Sequence, residues 1–181
     1  VGTLLDAIRA GSDPRGALHL IPRGREGAAR SIELDRPLFA VHFANAFDEG
    51  GELVADVCGF EQFVFGHEFG YVGPHAPLDP SLPDKRPAPQ QLGRIRVPAG
   101  ARTATWQGLS RLGCDFPRVA DRLEGRDAPA VYVATRAAHG LSDPFDTIAR
   151  VALRSEGGAT ADALWQAPPD CFVGEPVFAP R

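Results

Sequence analysis

Apolar residues along this chain come in short runs bounded by Gly, Pro and Asp, and a helical period is weak throughout. The runs are rich in Val, Ile, Phe and Thr and most have the length of ordinary strands, about 4–8 residues. This pattern predicts strands over residues 18–21, 38–43, 52–58, 62–65, 94–97, 101–107, 130–135, 147–153 and 171–178. Gly50-Gly51, Gly157-Gly158 and Pro98-Ala99-Gly100 read as turns between paired strands. Residues 4–10 fit one short helix, and residues 61–70 fit helix and strand equally well. The six prolines between Pro74 and Pro89 mark a loop, long enough to suggest more than a plain connection. Many short strands with frequent turn signals predict an all-β sandwich, barrel or propeller.

Composition narrows the function classes. The chain has 181 residues, 44% apolar and 23% charged, which suffices for one domain with a sizeable core. The net charge of −4 is spread in both signs along the chain, with no basic stripe to neutralise a phosphate backbone. Nucleic acid is therefore not an expected partner. No apolar run approaches the roughly 20 residues that span a bilayer, and no signal segment opens the chain. Contact with a membrane surface stays open. The three cysteines, Cys58, Cys114 and Cys171, are odd in number and far apart. They read as small buried apolar residues in a reducing compartment rather than a disulfide framework or a zinc site. The absence of Met and the start at Val1 lead us to expect a portion of a longer polypeptide.

Three segments carry candidate chemistry. In Phe39-Ala-Val-His42-Phe-Ala-Asn45-Ala-Phe-Asp48-Glu49, a histidine sits inside an apolar β-like run. Such a histidine is more often a core residue than a ligand. If it points inward, both ring nitrogens need partners, and a metal on one with a carboxylate on the other is one solution. In Cys114-Asp115-Phe116-Pro117 and in Gly174-Glu175-Pro176-Val177-Phe178, a single acid stands beside proline and aromatic residues. Each acid reads either as a turn residue capping a backbone N–H or as a buried acceptor that needs a donor.

Taken in order, the three segments resemble motifs of the carotenoid cleavage oxygenase family. Phe-x-x-His42-x-x-Asn45-Ala, followed by acids and then by Asp56 and Cys58, is similar to one iron-ligand motif of that family. Asp115-Phe116-Pro117 is similar to its acid-Phe-Pro motif, and Glu175-Pro176-Val177-Phe178 to its Glu-Pro-x-Phe motif. The resemblance implies a seven-bladed β-propeller, of which this chain would cover about two to three blades in the central to late portion of a single propeller domain. It implies Fe(2+) on the propeller axis, held by four histidines, of which His42 is one. The other three would lie outside the chain, two before Val1 and one after Arg181. Asp115 and Glu175 would hydrogen-bond ligand imidazoles; most members have Glu where this chain has Asp115. His19, His67, His75 and His139 lie in no ligand-like context.

The implied activity is cleavage of a C=C bond of a carotenoid or apocarotenoid with O2, giving two carbonyl products. Phe39, Phe43, Phe60, Phe63 and Phe65 are candidates to line an apolar tunnel, although core packing explains each of them more simply. A stilbene-cleaving dioxygenase with the same iron site and a non-catalytic propeller fragment are the competing readings. The expected location is cytoplasmic, with membrane association left open. With only part of a propeller, the isolated chain is expected to be inactive and poorly soluble, because unpaired blade edges and faces stay exposed.

Overall fold

The computed structural model describes residues 15–23, 27–60, 90–136, 145–154 and 158–179. The expected helix over 4–10, the strand over 62–65, the Pro-rich loop 74–89 and His67, His75 and His139 lie outside the described residues. Nine strands are described: β1 (Ala17–Leu20), β2 (Arg30–Leu34), β3 (Phe39–Glu49), β4 (Glu52–Phe60), β5 (Gln91–Val97), β6 (Thr103–Arg118), β7 (Ala130–Thr135), β8 (Thr147–Arg154) and β9 (Gly158–Gln166). A 3-10 turn, Asp121–Leu123, follows β6. The all-β expectation holds among the described residues.

The strands form two antiparallel meanders that share β6. The first runs β3-β4-β5-β6 and the second β6-β7-β8-β9. The earlier part of β6 pairs with β5, for example Thr105 with Arg96 and Gln107 with Arg94. Its end pairs with β7 through Cys114, Asp115 and Arg118. The β1–β2 hairpin joins through a short parallel pairing of Glu33 and Leu34 with Thr103 and Ala104. Gly50 and Gly51, both at positive φ (62° and 86°), close the β3–β4 hairpin as its two-residue loop. That backbone shape matches the strand twist and suits glycine.

Three expectations are corrected. The strand expected over 101–107 continues to Arg118, so the Asp115 motif is strand rather than turn. Residues 171–178 form no strand; the last described strand is β9, which pairs antiparallel with β8 from Arg154–Gly158 onward, and Gly157 of the expected Gly157-Gly158 turn lies outside the described residues. Strand β2 was not expected, because its five residues, Arg-Ser-Ile-Glu-Leu, carry only two apolar side chains. Those two, Ile32 and Leu34, are buried, and Glu33 between them is exposed.

Two apolar clusters lie on opposite faces of the first meander. Ile32, Leu34, Ala55, Val57, Ile95, Val97, Ala104 and Trp106 pack beneath the β1–β2 hairpin. Cys58, Leu92, Cys114, Val119, Val131, Val133, Ala149 and Val151 pack toward the second meander. β4 is covered on both faces, and residues 54–59 are all buried. This explains why its sequence is nearly continuous in apolar or small residues. Close packing also dictates Gly93. A Cβ there would lie 2.6 Å from the Trp106 ring.

One ion pair sits inside this packing. Arg94 on β5 faces Asp56 on β4 as its direct cross-strand partner. Its Nε and Nη2 donate to the two Asp56 oxygens at 2.7 and 3.0 Å, with side-chain exposures of only 7% and 1%. These hydrogen bonds hold the Arg94 pKa above its ordinary value against the opposing effect of burial. The guanidinium also lies 5.7 Å from the Phe47 ring centroid. Removing the carboxylate strands a buried cation, which costs about 3–5 kcal/mol. Asp56→Ala is therefore expected to lower the unfolding midpoint far more than loss of the exposed Arg15–Glu33 pair in Glu33→Ala, as read by denaturant titration of the two variants.

Candidate metal-ligand site

The site starts with two irregularities in β3. Cross-strand partners run Phe39–Phe60 and Ala40–Gly59, then His42–Cys58 and Phe43–Val57, then Asn45–Asp56 and onward to Glu49–Glu52. Val41 and Ala44 are therefore extra residues, and each forms a bulge. In strict alternation His42 would face away from Asn45 and Phe47. The bulge at Ala44 shifts the phase by one, so His42, Asn45 and Phe47 share the face that carries Cys58 and Asp56.

On that face His42 meets Asp115. The Nδ1 atom lies 2.9 Å from Asp115 Oδ1. The carboxylate accepts, so Nδ1 donates, and in the neutral imidazole this tautomer leaves the lone pair on Nε2. Gln90, just ahead of β5, donates from Nε2 to the same Asp115 oxygen at 2.9 Å and to the Cys58 carbonyl at 3.2 Å. The imidazole is 38% exposed and Asp115 15% exposed, so the ring stands at a boundary with its acid behind it. The shorter Asp side chain still reaches the ring.

Phe116 completes the support. It is one of two described non-glycine residues at positive φ (51°), a conformation that a bulky side chain adopts only under constraint. The register of β6 against β7 breaks between Asp115 and Arg118, at Phe116-Pro117. Buried Pro117 has no N–H to place in the ladder, which suits the interruption. The Phe116 ring then packs on His42 at 4.9 Å between centroids and meets Phe145 edge-on at 5.9 Å. Val41 and Phe43, beside His42, are exposed apolar residues.

Asn45 has a holding role. Its Nδ2 donates to the carbonyls of Arg126 (2.7 Å) and Leu123 (3.4 Å), and its Oδ1 accepts from Gly125 N and Ala46 N. A buried amide thus satisfies its own polar atoms by clasping the turn after β6.

Glu175 is not joined to the His42–Asp115 pair. It lies in the irregular segment after β9, 54% exposed, with its carboxylate 3.7 Å from Arg118 Nη1. That segment is tied down by Val173 N to Phe145 O and Ala167 N to Asp146 O, both 2.8 Å. His19 is exposed on β1. Phe39 and Phe60 pack together at 5.0 Å; Phe63 and Phe65 lie outside the described residues. No cluster of three or more His, Cys, Asp or Glu able to hold a metal occurs among the described residues. Sequence reasoning missed Gln90, which stands outside any motif and shows its role only when β4 and β6 are brought together.

The profile of the retinal pigment epithelial membrane protein family matches residues 3–181. The chain belongs to this family, that of the carotenoid cleavage oxygenases. Among its relatives, the chloroplastic carotenoid cleavage dioxygenase 7 of Oryza sativa subsp. japonica is 31% identical over 200 residues, covering 93% of this chain and 32% of the relative. The apocarotenoid-15,15'-oxygenase of Synechocystis is 30% identical over 181 residues, covering 97% and 33%. A solved structure of cobalt-substituted Synechocystis apocarotenoid oxygenase superimposes with a TM-score of 0.70 at 29% identity, over 93% of this chain and 33% of that one. The chain thus spans about a third of these family members and has the fold of part of their β-propeller. No helix among the described residues is long and apolar enough to cross a membrane.

The cysteines of this family member differ in environment. Cys58 and Cys114 are buried with their sulfurs 3.9 Å apart, whereas Cys171 is exposed, contrary to the expectation that all three are buried. Hydrogen bonding with Cys114 and burial push the Cys58 thiol well above its ordinary pKa. Since the thiolate is the reactive form, Cys171 is expected to react with a thiol reagent under native conditions. Cys58 and Cys114 are expected to react only on unfolding. Peptide mapping after timed alkylation checks this; fast labelling of Cys58 in the folded protein would contradict it.

Proposed function

We propose that this chain forms part of a non-haem iron(II) dioxygenase that cleaves a C=C bond of an apolar conjugated substrate, a carotenoid or apocarotenoid. The observation that carries the reading is the His42 imidazole, whose Nδ1 is committed to Asp115, so that the neutral ring has Nε2 free to bind a metal. This donor set suits one ligand position of a histidine-held metal. It does not make a complete site, and the remaining ligands would come from outside the described residues. Family membership and the relatives named as carotenoid cleavage dioxygenase and apocarotenoid oxygenase support the substrate class.

When bound, ferrous iron supplies the O2 chemistry that divides the double bond between two carbonyl products. The protein's own part is local. Asp115 holds the proton at His42 Nδ1 and fixes the ring plane, and its negative charge offsets that of a cation beyond the ring. Phe116 restricts ring rotation from one side. Val41 and Phe43, the chain neighbours of His42, are exposed apolar side chains, with Phe43 on the opposite face of the strand from the imidazole. Glu175 is assigned the same supporting role toward another ligand imidazole, as the Glu-Pro-x-Phe motif suggests.

The test is metal analysis of the whole protein purified without oxygen. His42→Ala is expected to lose most of its iron. Glu175→Gln is expected to weaken iron binding less, within the roughly 10–100-fold range of residues that support a ligand. Equal iron in the parent and in His42→Ala would sink the ligand assignment.

A further inference from the structure

We infer that Gln90 is a positioning residue for the metal-ligand imidazole, acting through Asp115. The inference rests on the reading of His42 as a ligand and extends it to a residue outside the three motifs.

The geometry is specific. The Gln90 side-chain nitrogen lies within hydrogen-bond distance of two acceptors, Asp115 Oδ1 at 2.9 Å and the Cys58 carbonyl at 3.2 Å. Both partners can only accept at these atoms, so the amide orientation is dictated: NH2 faces them and the carbonyl turns away. The Gln90 main chain joins the same junction, because its carbonyl accepts from Cys114 N at 2.9 Å. Cys58 is the cross-strand partner of His42, and Cys114 precedes Asp115. One residue therefore links the backbone beside the ligand to the backbone beside its acid, and holds that acid's oxygen directly.

An aspartate has two side-chain torsions, and one hydrogen bond to a ring nitrogen leaves its carboxylate free to rock. The Gln90 donor fixes the same oxygen from a second direction. With Oδ1 pinned, the Nδ1–H bond and the ring plane are fixed together, and the Nε2 lone pair keeps one direction. An imidazole that must reorient to meet a metal binds it more weakly. Loss of the Nε2 donor should thus weaken metal binding through His42 without removing a ligand.

The experiment uses the whole protein, metal-free and titrated with cobalt(II), whose visible absorption reports binding. Gln90→Leu removes the donor, and Gln90→Met removes it while keeping the length of the side chain. Both are expected to weaken cobalt(II) binding about tenfold, toward the lower end of the range for groups that support a ligand. The double variant His42→Ala with Gln90→Leu is expected to match His42→Ala, because Gln90 acts only through that ring. A second readout needs no metal. In ¹⁵N-histidine NMR the Nδ1–H signal of His42 is expected to be sharp in the parent and broadened or lost in both Gln90 variants.

Parent-like cobalt affinity in the Gln90 variants, with weakened binding in His42→Ala, overturns the inference and leaves the ligand assignment standing. Parent-like affinity in His42→Ala removes the ligand assignment, and the inference with it. An unchanged Nδ1–H signal in a folded Gln90 variant overturns the positioning role by itself. If Gln90→Leu fails to fold, Gln90→Met carries the same comparison.

Discussion

The placement of the site depends on β6 running without a break from one meander into the next. A strand that pairs with β5 over its earlier residues and with β7 at its end sets the position of each sheet against the other through its backbone. Asp115 lies in the part that has passed to β7, whereas His42 lies on β3 at the far side of the first meander. Their 2.9 Å contact spans that architecture. It exists because Cys58, Leu92 and Cys114 pack in a single apolar cluster that draws β4, β5 and β6 together beneath it. Hydrophobic burial supplies the closure, and the polar pair supplies the direction.

The polar groups near this junction are few and each is satisfied by a named partner. Asn45, Gln90, Asp115 and the Asp56–Arg94 pair sit among aliphatic side chains, where an unpaired donor or acceptor is expensive. Together they define which strands meet and in which register. Apolar contacts tolerate sliding, whereas a bidentate Arg–carboxylate pair or an amide bonded through both of its ends does not.

Much of the fold was readable from the chain because β-structure leaves local marks. The Gly50-Gly51 turn, the doubly covered β4 and β7 with its two valines announced themselves through a glycine pair and apolar runs. β2 escaped notice because its short alternation carries only Ile32 and Leu34. The length of β6 was hidden by Gly108, Gly113 and Pro117, which look like punctuation but serve within the strand. The site divides in the same way. His42 and Asp115 were marked by their motifs, and the structure brings them together. Glu175 was marked as well, yet among the described residues its partner is Arg118. Gln90 and the bulges at Val41 and Ala44 could not be read, since each is defined by a neighbour distant in sequence and carries no local composition signal.

The paired bulges also separate His42 and Phe43 from the rest of their strand. Each inserts one half-period into the inside–outside alternation, and two half-periods cancel. Between Val41 and Ala44 the phase is inverted for His42 and Phe43 alone, while Phe39 and Ala40 on one side and Asn45 through Glu49 on the other stay in phase with each other. The inverted window acts as a cassette. Its two side chains can change without shifting the hairpin at Gly50-Gly51 or the packing at the start of the strand. A single-residue deletion inside it would cost one bulge, leaving the remainder of the strand in register while changing what the window presents to each face. A substitution at His42 leaves both bulges in place, whereas a change in length does not.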